Sequence, residues 1–142
     1  MIIDLTREIR NDTKVFPGSP LPKFITWTKM DVHQYHSEVI FMSTHTGTHM
    51  DAPSHFVNEV SSIDQITVAR FISNAILIRI KKGIDQLITT NDIVASNVRI
   101  GQGDTIVFST SWENEINKDH YFSHSPGLSE DAENYLLDKK VK

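Results

Sequence analysis

Four side chains of types that hold metal ions or move protons stand close together: His45, His49, Asp51 and His55. They belong to the run His45-Thr46-Gly47-Thr48-His49-Met50-Asp51-Ala52-Pro53-Ser54-His55-Phe56, which holds three of the seven histidines. Every interval between the four is even. Side chains of an extended segment alternate faces, so a strand over Phe41 to Asp51 projects His45, His49 and Asp51 to one side. Gly47 lies on that side between the two histidines and leaves an open pocket where a side chain would stand. Pro53 interrupts any ladder, so His55 is expected on the loop just beyond. A helix would make His45 and His49 i, i+4 neighbours but carry Asp51 round the axis, and Thr44, Thr46, Gly47, Thr48 and Pro53 form helices poorly.

Two imidazoles and a carboxylate converging on a gap suit zinc, or a similar divalent ion such as manganese, in a catalytic arrangement. Structural zinc sites close with four protein ligands, usually including Cys, and this chain has no cysteine. Catalytic sites keep a position open for water. A divalent ion there would polarise a substrate carbonyl and acidify a water, which points to hydrolysis of an amide or similar carbonyl bond. His55, with an intrinsic pKa near 6.5, suits exchange of a proton with that water or with a leaving amine.

The elements that must position these residues are read in chain order. Met1 to Ile9 opens with an apolar, strand-like start, and Asn11 to Pro22 is a loop rich in turn residues. Phe24 to Met30 is β-branched and aromatic and predicts a strand, with Trp27 packed in the core. Asp31 to His36 reads as a polar turn, with His33 and His36 solvated, and Glu38 to Thr44 as the strand leading into the histidine run. Val57 to Ser62 is a polar connector, and Ile63 to Ile72 holds at most a short helix. Ala75 to Ile80 is nearly continuous in apolar residues, the mark of a buried strand. Thr89, with Asp92 three residues on, predicts a capping box and a short helix ending near Val94 to Asn97. Gly101 to Asp104 turns into a second buried strand, Thr105 to Ser109, with no phosphate-loop signature. An irregular loop from Trp112 holds His120 and His124. Ser129 is expected to cap a final helix whose Ala132, Tyr135 and Leu136 face the core, with Glu130, Asp131 and Glu133 in its positive first turn. The pattern implies an α/β fold, mixed but mainly antiparallel, with a barrel-like β core and a few peripheral helices, in a single domain over residues 1–142.

Composition narrows the function classes. A net charge of −4 without a long basic run argues against a nucleic-acid partner, because phosphate binding needs a concentrated basic patch. No apolar run approaches the roughly 18–20 residues of a membrane span, and acidic and basic residues from Asp4 to Arg10 leave no visible signal peptide. The absence of cysteine excludes thiol catalysis and is compatible with a reducing cytoplasm. The expectation is a cytoplasmic protein acting on a small-molecule substrate.

The run His45-x-Gly47-Thr48-His49-x-Asp51-x-Pro53-x-His55-Phe56 resembles the signature of the cyclase-like metal-dependent hydrolases, the family of bacterial kynurenine formamidase. Ile3 to Thr6, Phe16 to Pro20, Gly103 to Phe108 with Ser109 to Trp112, and Pro126 to Ser129 resemble the same family, so the likeness covers nearly the whole chain. It implies a swivelling β/α cyclase-like fold, a homodimer or higher homo-oligomer, metal ligation by His45, His49 and Asp51, and His55 as the catalytic histidine. Phe16, by its residues alone a hydrophobic plug for its loop, becomes by resemblance a wall of the substrate pocket. The implied activity is cleavage of an aryl formamide, N-formylkynurenine being the best-known case, or opening of a cyclic amide. Family members normally continue beyond a segment like Lys139 to Lys142 into a region whose further His and Glu complete the site, so the chain is expected to be C-terminally short. A catalytically degenerate member that binds metal or a small ligand is the alternative.

Overall fold

The computed structural model describes residues 4–142, and the chain divides into two compact units, Met1–Gln65 and Ile66–Lys142. Residues 1–3 of the strand-like start lie outside the described residues, and 4–9 form no strand.

In the first unit, β1 (Lys23–Thr28) and β2 (Ser37–Phe41) pair antiparallel, flanking the single-turn helix α1 (Met30–His33). The connection is short, which is what lets adjacent strands pair antiparallel. α1 ends on Gln34 in the left-handed region at φ 66°, and the ladder slips between Thr26 and Thr28, leaving Trp27 in a bulge. Trp27 is 72% exposed, contrary to the expected core position: β-propensity placed it in a strand but could not say which face is covered. Its neighbours Ile25, Val39 and Phe41 are exposed too. The solvated reading of His33 and His36 holds, since both are exposed.

The second unit carries the buried core. β3 (Ala75–Arg79) and β5 (Thr105–Ser109) pair in parallel, as do β4 (Leu87–Ile88) and β6 (Gly127–Leu128). α2 (Thr90–Ala95) follows β4, and α3 (Glu130–Asp138) follows β6. Ile78 from β3, Ile88, Ile93 from α2, and Ala132 and Leu136 from α3 form the buried cluster, with Ile76, Ile106, Phe108 and Tyr135 packed against it. Trp112 is buried on a single-turn 3-10 helix and donates its indole N–H to Tyr121 O at 3.0 Å.

The expected predominance of antiparallel pairing is not what forms. Of three two-stranded sheets one is antiparallel and two are parallel, with no closed barrel among the described residues. The segment between β3 and β5, residues 80–104, includes α2, and a crossover containing a helix is the connection that parallel neighbours require. The continuous apolar run of β3 is also covered unevenly: Ile78 is buried whereas Leu77 is 45% exposed.

The helix ends follow their local chemistry. Thr89 accepts the Asp92 N–H while the Asp92 carboxylate accepts the Thr89 N–H at 2.8 Å, the reciprocal capping box. Lys82 Nζ donates to the same carboxylate at 2.7 Å. Lys82 and Thr89 together hold the Asp92 carboxyl down to about 2. Ser129 occupies the N-cap of α3, but its hydroxyl donates to Ile88 O at 3.0 Å instead of accepting from the helix, so it joins α3 to β4. Among the described residues no helix is long and apolar enough to cross a membrane.

Candidate metal centre

The strand expected over Phe41 to Asp51 stops at its first residue. β2 ends at Phe41, and residues 44–48 turn and bend. Within that turn Gly47 has φ +67°, a left-handed conformation natural to glycine and incompatible with a strand through it. The even spacing therefore does not bring the ligands together by strand periodicity. A turn does. Nor is the space at Gly47 an open pocket: a Cβ there would meet Ile9 Cγ1 at 3.1 Å, so the Ile9 side chain fills it.

The turn still assembles the expected residues. Among the described residues, the group of His, Asp and Glu side chains that could hold a metal ion is His45, His49 and Asp51, with ligand atoms all within 4.8 Å of one another. His45 Nδ1 lies 2.7 Å and His49 Nε2 lies 3.4 Å from the same atom, Asp51 Oδ1. The rings of His45 and His49 meet edge to face, with centroids 5.2 Å apart. His49 Nδ1 is 2.9 Å from Gly47 O, and only a protonated Nδ1 can donate there. That bond leaves the other ring nitrogen, Nε2, on the side of Asp51 Oδ1, 3.4 Å away.

The donor set fits a divalent cation. Ligand bonds of about 2.0–2.1 Å at tetrahedral angles set neighbouring donors about 3.3 Å apart; the His49–Asp51 separation of 3.4 Å is close to that, whereas His45 Nδ1, at 2.7 Å, is in direct contact with Asp51 Oδ1, and an ion between them would have to open that contact. Two imidazole nitrogens and one carboxylate oxygen suit zinc or manganese. The Gly47 carbonyl behind His49 holds the ring in one orientation, as the outer-sphere partners of metal-ligating histidines do.

His55 ends the 3-10 turn Pro53–His55, with Pro53 at its first position, and stacks on His45 with centroids 3.9 Å apart and planes 29° from parallel. It flanks the three donors without joining them. Phe16 lies apart from this loop in sequence, in a turn closed by Ser19 N–H to Phe16 O at 2.9 Å, and is 56% exposed.

Three features escaped sequence reasoning. The Gly47 carbonyl orients His49. Thr48 Oγ1 accepts the Arg7 N–H at 3.0 Å, across 41 residues. Thr46 is 3% exposed, with its hydroxyl unpartnered among the described residues. Burying such a group costs about 1–3 kcal/mol, so the loop keeps a polar atom that packing does not ask for. Only the glycine carried a signal, because its type allows the left-handed turn.

Residues 3–142 match the family described as "Putative cyclase". The chain belongs to the cyclase family. Among its relatives, isatin hydrolase of Roseibium aggregatum is 30% identical over 158 aligned positions, covering 88% of this chain and 60% of that protein. Kynurenine formamidase of Geobacillus thermodenitrificans is 36% identical over 92, covering 61% of this chain and 44% of the relative. A crystal structure of an isatin hydrolase bound to the product analogue thioisatinate superimposes with a TM-score of 0.82 at 26% identity, over 98% of this chain and 63% of that one. This cyclase-family chain thus spans about two-fifths to two-thirds the length of the relatives it matches.

Proposed function

We propose that this chain is a metal-dependent hydrolase that cleaves an amide whose nitrogen is carried by an aromatic ring. The observation that carries the reading is the convergence of His45 Nδ1 and His49 Nε2 on Asp51 Oδ1, in a family whose matched relatives are named for amide substrates. N-formylkynurenine is an N-aryl formamide and isatin a cyclic N-aryl amide, so the two names share one bond type.

His45, His49 and Asp51 would hold the ion, with zinc favoured and manganese next. When bound, it supplies polarisation of the amide carbonyl and a more acidic water. The chain does the rest. The Gly47 carbonyl keeps His49 in one tautomer, and Asp51 supplies the negative charge that holds the cation. His55, exposed on the outer face of His45, takes the proton from the attacking water as its oxygen bonds to the carbonyl carbon. It then returns that proton to the nitrogen as the C–N bond breaks. Phe16 is proposed as an apolar contact for the aromatic ring. The homodimer or higher homo-oligomer implied by the resemblance, and the cytoplasmic setting expected from composition, belong to the same reading.

The test is hydrolysis of formanilide and of isatin by the purified chain, with added Zn2+ or Mn2+ and with chelator. Turnover of at least one substrate that chelation abolishes is expected. Metal uptake without turnover of either would overturn the enzymatic reading in favour of a metal-binding, non-catalytic member.

A further inference from the structure

The metal loop must hold its shape between the end of β2 at Phe41 and the 3-10 turn at Pro53, although its ligands are partly exposed. Two contacts tie the middle of this loop to the start of the chain. The Arg7 N–H donates to Thr48 Oγ1 at 3.0 Å. Ile9 lies against the α-carbon of Gly47, so close that a Cβ there would meet Cγ1 at 3.1 Å and Cδ1 at 3.4 Å. Gly47 and Thr48 are adjacent, and both lead directly into His49. The carbonyl of Gly47 is the group that His49 Nδ1 engages at 2.9 Å.

We propose that Thr48 is a positioning residue for the metal centre. By accepting the Arg7 amide while Ile9 braces Gly47, it fixes the Gly47 carbonyl, and through it the tautomer and orientation of His49. The proposal rests on the metal-binding reading above. Thr48 touches neither the cation nor the reacting atoms in this account; it acts through His49. A threonine is suited to this because its hydroxyl oxygen accepts while its branched Cβ restricts rotation. Valine keeps the shape and loses the acceptor, whereas serine keeps the acceptor.

The test is affinity for Zn2+ alone, by chelator competition, for the wild-type chain, Thr48→Val and Thr48→Ser, with circular dichroism of the metal-free proteins as a folding check. Loss of an outer-sphere partner weakens metal binding about 10–100-fold, and Thr48→Val, which only loosens the Gly47 carbonyl, belongs at the lower end. Thr48→Val is expected to fall in that range, and Thr48→Ser to stay within about threefold of wild type. The ring 15N shifts of His49 in the metal-free protein should report mixed tautomers in Thr48→Val alone. Equal affinity in Thr48→Val and wild type overturns the proposal and leaves the metal centre standing. A wild-type chain that takes up no Zn2+ removes the centre and the proposal together. If Thr48→Val does not fold, Thr48→Ala carries the test: it too lacks the acceptor for the Arg7 amide, its affinity is expected to fall about tenfold, and affinity equal to that of Thr48→Ser overturns the proposal.

Discussion

The start of α2 and the metal loop are both short polar constructions, yet they hold their shapes by different means. At α2, Thr89 and Asp92 bond reciprocally within one turn, Lys82 completes the carboxylate, and the next residue, Ile93, is buried in the core. Polar satisfaction and apolar burial reinforce each other there. In the metal loop the His45, His49 and Asp51 side chains keep roughly a third of their surface or more, at 34%, 31% and 41%. Their shape depends on a left-handed glycine, two contacts from residues 7–9 and the mutual attraction of ring nitrogens and a carboxylate. Local sequence builds the first. Distant contacts build the second, which leaves its two imidazoles and its carboxylate accessible to solvent.

Substitutions should separate the two regions sharply. The largest effect is expected from Asp51→Ala, which removes the atom both histidines approach: metal affinity should be abolished by titration, with α2 unaffected in its capping. His55→Ala should leave metal content unchanged while turnover falls by about 100-fold or more, the usual scale for a positioned acid–base group. Equal metal loss in both variants would erase the distinction between ligand and proton carrier. In the core, Ile93→Ala should lower unfolding free energy by about 2–5 kcal/mol, read by urea denaturation, because a closed cluster cannot refill the deleted volume.

The smallest effect concerns acid. Asp92 is held at about 2, below its ordinary 3.8, by Lys82 and the Thr89 amide and hydroxyl. A depressed carboxyl stabilises the fold fully above the unfolded value and loses that contribution as pH falls through the folded one. Denaturation midpoints should therefore decline between about pH 4 and 2, and Asp92→Asn should flatten that decline. An unchanged slope in the variant would assign the acid sensitivity to other carboxylates.

The same contrast explains what was legible beforehand. The capping box at Thr89, the core positions Ala132 and Leu136 and the strand Thr105–Ser109 follow from residues a few positions apart, and all three appear where spacing puts them. The parallel pairing of β3 with β5 depends on partners 30 residues away, which no local pattern encodes. Trp27 and Leu77 were misplaced because apolar character says what a side chain favours, not whether another element covers it. At the site, the grouping of His45, His49 and Asp51 was readable from their types and closeness, but the geometry behind it was not. Even spacing suggested a strand, whereas the positive φ of Gly47 folds the segment into a turn that reaches the same convergence.

Metal content of the purified wild-type chain, measured by elemental analysis after mild dialysis and again after reconstitution with zinc or manganese, tests the central claim most directly. At least about one divalent ion per chain is expected, bound by His45, His49 and Asp51. A chain that stays free of metal after reconstitution would contradict it, and the histidine loop would then be a turn held by its own hydrogen bonds.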